Sequence, residues 1–213
     1  MNEKRHEQLE SFWKVFLAEE CDEESVFSSI YVMCVDDLLA YGRSLGFDED
    51  TCKDAVHDVF CNFYLKRGGL RGVHHITAFL FRSFKNSLLN AKQKYARIRD
   101  LDFSAAPFPV EATVADPLID EEERRKVVAT VEGLLRELTP RQREAIYLRY
   151  MQGMSYEEIS VMLDMNIDSV RKLMYRAISK LRAQNGGVLN FVNLIFFLSI
   201  KAGLDCHFHE NLI

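Results

Sequence analysis

Proline is scarce in this chain: of its four, three fall within residues 107–117 and the fourth is Pro140. Residues 1–106 and 141–213 are free of the residue that most strongly breaks a helix. Cysteine numbers five (Cys21, Cys34, Cys52, Cys61 and Cys206), with no CxxC pair and no even count. That excludes a disulfide framework and a zinc ribbon, and free thiols in a reducing cytoplasm are the simple reading. No secretory leader is expected from the acidic N-terminus. The longest apolar run, residues 188–200, has thirteen residues. A bilayer crossing needs about 20, so this run is expected to fold back, meet a partner or be masked in a complex. There is no internal repeat and no low-complexity tract. Acidic residues are absent from Lys66–Arg99, and basic ones are absent from Asp100–Glu123.

Those last two absences organise the charge. The formal net charge of −5 over 213 residues argues at first against nucleic acid. Distribution outweighs the sum, however. Residues 1–30 hold eight acids against three bases, and Lys66–Arg99 holds nine bases. Asp100–Glu123 then holds eight acids, and Arg124–Gln184 twelve bases against seven acids. Two basic blocks flank an acidic connector, which predicts two nucleic-acid contacts and a segment between them that binds none. The length suits two small domains, and an apolar share of 48% is ample for helical cores.

The most informative stretch is LTPRQREAIYLRYMQGMSYEEISVMLDMNIDSVRKLMYRAISKLR, residues 138–182. Thr139 is an N-cap, Pro140 stands where a first-turn proline is tolerated, and Gln142 completes a capping box. The helix stops near Gly153. Ser155 opens a second helix with Glu158 at the matching box position, and Ile159, Met162 and Leu163 form its apolar spacing. A tight turn over Asp164-Met165-Asn166 leads to a third helix that Asn166 caps. There Val170, Met174, Ala177 and Leu181 share one face, while Arg171, Lys172, Tyr175, Arg176 and Ser179 share the other. A capped helix, a tight turn and a helix with a basic outer face describe a helix-turn-helix that enters the major groove. An ordinary helical hairpin with a solvated charged face is the alternative.

Upstream, Leu9, Phe12, Trp13 and Phe16 predict an amphipathic helix over residues 4–20 that docks on its neighbours. Asp22 can cap a helix carrying Val26, Phe27, Ile30, Tyr31, Val35, Leu38, Leu39 and Tyr41, which Gly42–Gly46 weakens and ends. Asp50 or Thr51 is expected to cap the next, whose Ala55, Val56, Val59, Phe60, Phe63 and Tyr64 make one wide apolar stripe. Asp54, His57, Asp58 and Cys61 point the other way. Three residues on one face lack further ligands nearby, so no metal site is assigned there, nor at His74-His75, nor at Cys206, His207 and His209.

Helical spacing over Ile76–Arg99 places Leu80, Phe81, Phe84, Leu88, Ala91 and Tyr95 on an apolar face. Phe79, Arg82, Ser83, Asn86, Asn90, Gln93 and Arg97 fall on the other. An aromatic among polar and basic groups suits stacking on unpaired bases, worth about 1–3 kcal/mol each, and Asn86 can bond a splayed-out base edge. Phe79 closing the core from its rim is the plainer reading. Asp100–Glu123 reads as an extended linker. Val127, Val128, Val131, Leu134, Leu135 and Leu138 give a helix that packs against residues 140–152.

LTPRQREAIYLRYMQGMSYEEIS with SVRKLMYRAISKLR resembles region four of the sigma-70 family in its extracytoplasmic-function (ECF) branch. Asp164 stands where the family usually has Gly, and Leu173 where it often has Arg. DAVHDVFCNFYLKR resembles the region-two helix that docks on the clamp coiled coil of RNA polymerase, with Asp54 and Asp58 at acidic positions and His57 in place of Gln. ITAFLFRSFKNSLLNAKQKYAR resembles the region-two helix that melts and reads the minus-ten element. There Phe79 takes the place of Trp, Asn86 matches an Asn beside the flipped-base pocket, and residues 70–75 correspond to the specificity loop. The resemblance implies an all-α chain of two small helical domains joined by an acidic extended linker. Its divisions are 1–24 (N-terminal extension), 25–100 (region two), 101–122 (linker), 123–184 (region four) and 185–213 (tail). It further implies core RNA polymerase and promoter DNA as partners, an anti-sigma factor, a cytoplasmic location, and no cofactor, metal, small-molecule substrate or catalytic residue. Minus-ten contacts fall to Phe79, Arg82 and Asn86, and groove contacts to Ser169, Arg171, Lys172, Tyr175 and Arg176. Core-polymerase contacts fall to Asp54 and Asp58. A stand-alone helix-turn-helix regulator is the alternative; it calls for an upstream sensor of alternating strands and helices.

Overall fold

The computed structural model describes residues 3–18, 23–99 and 133–184, and among these every regular element is helical. The expectations for Asp22, for the linker, for Val127, Val128 and Val131, for the 188–200 run and for Cys206, His207 and His209 lie outside the described residues, as do the side chains of Tyr95 and Arg97. The described residues divide into two compact units. Helices α1 (Glu3–Ala18), α2 (Glu23–Ser44), α3 (Glu49–Leu65) and α4 (Ile76–Arg99) make the core of the first. Helices α5 (Pro140–Tyr150), α6 (Tyr156–Leu163) and α7 (Ile167–Gln184), preceded by a helical turn at 133–136, make most of the second.

In the first unit α3 packs against both α2 and α4. The stripe anticipated on α3 is its buried side: Ala55, Val56, Val59, Phe60 and Phe63 are all closed to solvent. Tyr64 is the exception, at 43% exposure, because it stands on the rim beside Phe27, 5.1 Å between ring centroids. Helix α1 belongs to this core. Leu9, Trp13 and Phe16 are buried, Trp13 lies 5.3 Å from the Phe63 ring, and Phe16 stacks on Phe63 at 5.3 Å with 7° between planes. Such aromatic pairs add about 0.5–1.5 kcal/mol each to the burial of their area. Arg5 fastens the same helix to α2, donating to the Met33 carbonyl at 2.6 Å and pairing with Asp37 at 3.4 Å.

One sequence expectation is corrected here and another refined. The cap of α3 is Asp48, not Asp50 or Thr51: its carboxylate accepts from the Thr51 N–H at 2.9 Å and from the Thr51 hydroxyl at 2.8 Å. Phe47-Asp48-Glu49-Asp50 offers three acids in a row, and the first of them holds the extended backbone, φ −69° and ψ 162°, that a cap requires. The helix ends within Gly42–Gly46 as expected, but Gly42 itself lies inside α2, packed too closely for a side chain. A Cβ there would overlap the Cys52 sulphur and come within 2.9 Å of the Phe84 ring. The helix ends at Ser44, and Gly46, with φ 85°, makes the exit.

In the second unit α5 packs on α7. Leu134, Leu135 and Leu138 are buried with Ala145, Ile146 and Leu148 of α5, and the helical turn before α5 closes at Arg136.

Candidate nucleic-acid interface

The local chemistry of residues 139–169 fixes where α7 stands. Thr139 and Gln142 form a reciprocal capping box: the Gln142 N–H donates to the Thr139 hydroxyl at 3.3 Å, and the Thr139 N–H to the Gln142 side chain at 3.0 Å. Ser155 and Glu158 repeat the device at α6, at 3.1 Å and 2.8 Å. Arg149 bridges the connection between them. It donates to the Met154 carbonyl at 2.8 Å and sits over the Tyr156 ring at 5.2 Å, a cation on an aromatic face. Gly153 (φ 67°) and Asp164 (φ 53°) both take left-handed backbone, and Asp is one of the few side chains that tolerates it. Asn166 then caps α7 by accepting from the Ser169 N–H at 2.8 Å.

The two faces of α7 separate as the spacing requires. Val170, Met174, Ala177 and Leu181 are buried to within 1%. Arg171, Lys172, Tyr175, Arg176 and Ser179 are exposed, and Tyr175 stands 73% open to solvent. Ser169 is partly covered, its N–H spent on the cap. Arg171 and Asp168 pair loosely across one turn at 3.5 Å, an exposed contact of small energetic weight. The outer face therefore presents three cations, a phenol and a hydroxyl along about two and a half turns, a suitable edge for groove and phosphate contacts.

On α4 the apolar face is closed: Leu80, Phe81, Phe84 and Leu88 are buried, with Ile76, Thr77 and Ala78 at its start. Asn86, Asn90 and Gln93 are exposed, and Phe79, Arg82 and Ser83 are partly exposed. Phe79 and Asn86 thus share a solvent-accessible face, two turns and about 10 Å apart along the axis. On α3, Asp54 and Asp58 are exposed one turn apart, beside exposed His57 and Cys61, whose ring nitrogen and sulphur lie 3.5 Å apart. The described residues contain no group of three or more His, Cys, Asp or Glu able to hold a metal ion. They contain no helix long and apolar enough to cross a membrane.

Two contacts gave no sequence signal. The Trp13 indole N–H donates to the Val73 carbonyl at 3.1 Å, and the Glu10 carboxylate accepts from the Ile76 N–H at 3.2 Å. They join α1 to the loop before α4 across about sixty residues, a separation no local pattern encodes.

Comparison with known proteins places the chain in a family. The family described as "Sigma-70, region 4" matches residues 129–181. RNA polymerase sigma-E factor of Streptomyces coelicolor is 26% identical over 149 residues, covering 70% of this chain and 80% of that protein. ECF RNA polymerase sigma-E factor of Escherichia coli K12 is 30% identical over 134 residues, covering 58% of this chain and 68% of that protein. Among solved structures, the sigma factor RpoE with the anti-sigma factor NepR from Bartonella quintana superposes with a TM-score of 0.54. Identity there is 22%, and 74% of this chain and 94% of that one are covered. CnrH in complex with the cytosolic domain of CnrY gives 0.53 and 22%, over 82% and 95%. By its relatives, its two helical units and its doubly boxed helix-turn-helix, the chain belongs to the ECF branch of the sigma-70 family, whose role lies in transcription initiation.

Proposed function

We propose that this chain binds core RNA polymerase in the cytoplasm, directs it to specific promoters and opens them, with no reaction of its own to catalyse. The observation that carries this reading is α7. Its buried Val170, Met174, Ala177 and Leu181 face the core while Arg171, Lys172, Tyr175 and Arg176 stand outward at the end of a rigidly capped turn. In this reading those four side chains and Ser169 lie in the major groove of the minus-thirty-five element. Phe79, Arg82 and Asn86 act one domain earlier. Phe79 stacks against a minus-ten base, Arg82 neutralises backbone charge, and Asn86 bonds the edge of a base turned out of the helix. The exposed Asp54–Asp58 face of α3 docks on the polymerase. The division into 25–100, 101–122 and 123–184 follows the same logic, with acidic residues 101–122 kept off DNA by their charge. The solved complexes of similar fold contain the anti-sigma factor NepR and the cytosolic domain of CnrY, which supports a protein inhibitor as a further partner here. A stand-alone regulator fits poorly, since every element among the described residues 3–99 is helical.

Run-off transcription with core polymerase on genomic fragments tests the reading. Transcripts starting at defined sites are expected only when the protein is added. Phe79→Ala with Asn86→Ala should spare core binding and lower permanganate reactivity of the minus-ten thymines; unchanged reactivity would remove those residues from the assignment.

A further inference from the structure

We infer that α1 is a positioning strut for the loop at residues 70–75, and that Trp13 and Glu10 determine minus-ten specificity through the backbone they hold. The inference rests on the reading of that loop and of α4 given above.

The loop is rich in glycine and largely open to solvent. Gly68, Gly69 and Gly72 have nothing within 4 Å of where a side chain would begin, and Arg71, Gly72 and His74 are exposed. Its own backbone bonds are short-range: Gly69 donates to the Lys66 carbonyl and Val73 to the Leu70 carbonyl, both at 2.9 Å. Two hydrogen bonds that tie its far end to the rest of the unit come from α1. Glu10 and Trp13, three residues apart on one helix, bond Ile76 and Val73, three residues apart on the other segment and running in the opposite direction. Trp13 cannot drift, because its ring is 2% exposed and packed against Phe16 and Phe63. Glu10 adds a negative charge at the N-terminus of α4, whose own first turn contains no acid. A loop that reads bases must be held to within a fraction of an ångström by such supports. Moving Val73 and Ile76 would move both the loop and the start of the helix bearing Phe79.

The test uses full-length protein with core polymerase on promoters randomised at the minus-ten bases, scoring base preference among open complexes. Trp13→Phe keeps one aromatic ring but removes the N–H donor together with the five-membered ring of the indole; Glu10→Ala removes the acceptor alone without touching that packing, and Glu10→Gln retains an acceptor. Trp13→Phe and Glu10→Ala are expected to lower discrimination between the best and next-best base by about threefold to tenfold, the worth of one hydrogen bond. Glu10→Gln should keep the wild-type preference, and core affinity should not change in any of the three. Because the chain has one tryptophan, 5-fluorotryptophan labels this contact alone. Its fluorine resonance in the holoenzyme is expected to move in Glu10→Ala, because both contacts hold the same segment. Wild-type preference in both Trp13→Phe and Glu10→Ala, or an equal loss of opening on every promoter, would overturn the inference. A motionless resonance would too. If Phe79→Ala with Asn86→Ala leaves opening intact, the minus-ten assignment itself fails, and that result is separate from these.

Discussion

Gly42 shows how a single residue can be set by packing rather than by backbone freedom. It is buried within α2, and the Cys52 sulphur and the Phe84 ring occupy the space a methyl group would need. Gly42→Ala should therefore destabilise the first unit by about 1–3 kcal/mol, the range for overpacking a closed core. Adding Cys52→Ala should recover part of that stability, and urea unfolding of the two variants measures both. The thiols divide by the same surroundings. Cys34 is pushed up to about 12 by burial, with Asp37 adding to the effect and Arg5 opposing it. Cys52 is pushed up to about 11, again chiefly by burial. Since the thiolate is the reactive form, iodoacetamide at pH 8 should alkylate exposed Cys61 in the native protein and leave Cys34 and Cys52 unmodified until urea is added. Peptide mapping by mass spectrometry checks this; early labelling of Cys34 would contradict its burial. None of these environments could be read locally, because Gly42 meets residues 10 and 42 positions away.

Elements whose ends are written in their own side chains were legible. Thr139 with Gln142, Ser155 with Glu158, and Asn166 with Ser169 each encode a bond spanning three residues, so spacing alone finds them. The opposed faces of α4 and α7 were legible for the same reason: 3.6-residue periodicity is a local property. At α3 the pattern was ambiguous, because successive acids all satisfy a cap's chemistry and only the backbone selects Asp48. That cap has a pH signature. Accepting from the Thr51 N–H, and next from its hydroxyl, holds the Asp48 carboxyl below its usual value. A carboxyl lowered in the folded state stabilises above its unfolded pKa, and the benefit is lost as pH falls through the folded one. Asp48→Ala should cost about 1 kcal/mol at pH 7. The gap between variant and wild type should hold down to about pH 5 and close below the ordinary carboxyl value of about 3.9. Urea unfolding across that range measures it. For α7, removing Arg171 and Lys172 should weaken upstream binding and flatten its salt dependence. The expected change is about 0.9 in log–log slope for each phosphate no longer neutralised. A slope equal to wild type would place both side chains off the backbone.

At the scale of the molecule, the proposed function has the charge segregation give the two units a shared task. The proposed DNA contacts of each unit are of the salt-sensitive kind that binds weakly one at a time. Covalent linkage makes the second contact intramolecular, with an effective concentration in the millimolar range for short linkers and a gain of about 10² to 10⁴ in avidity. The acidic run Asp100–Glu123, eight acids and no base, adds length without adding a competing DNA site, since like charge repels phosphate. The linkage itself can then be tested apart from either surface. A site-specific protease sequence inserted between Ser104 and Asp116 should leave transcription intact before cleavage. After cleavage the first unit should still compete for core polymerase through α3, while specific run-off transcript falls by roughly the avidity factor, 10² or more. Raising the concentration of both fragments together should restore part of the signal, because mass action replaces the tether. Full transcript from the cut protein at the original concentration would mean that the units cooperate through contacts made on the polymerase rather than through the chain that joins them.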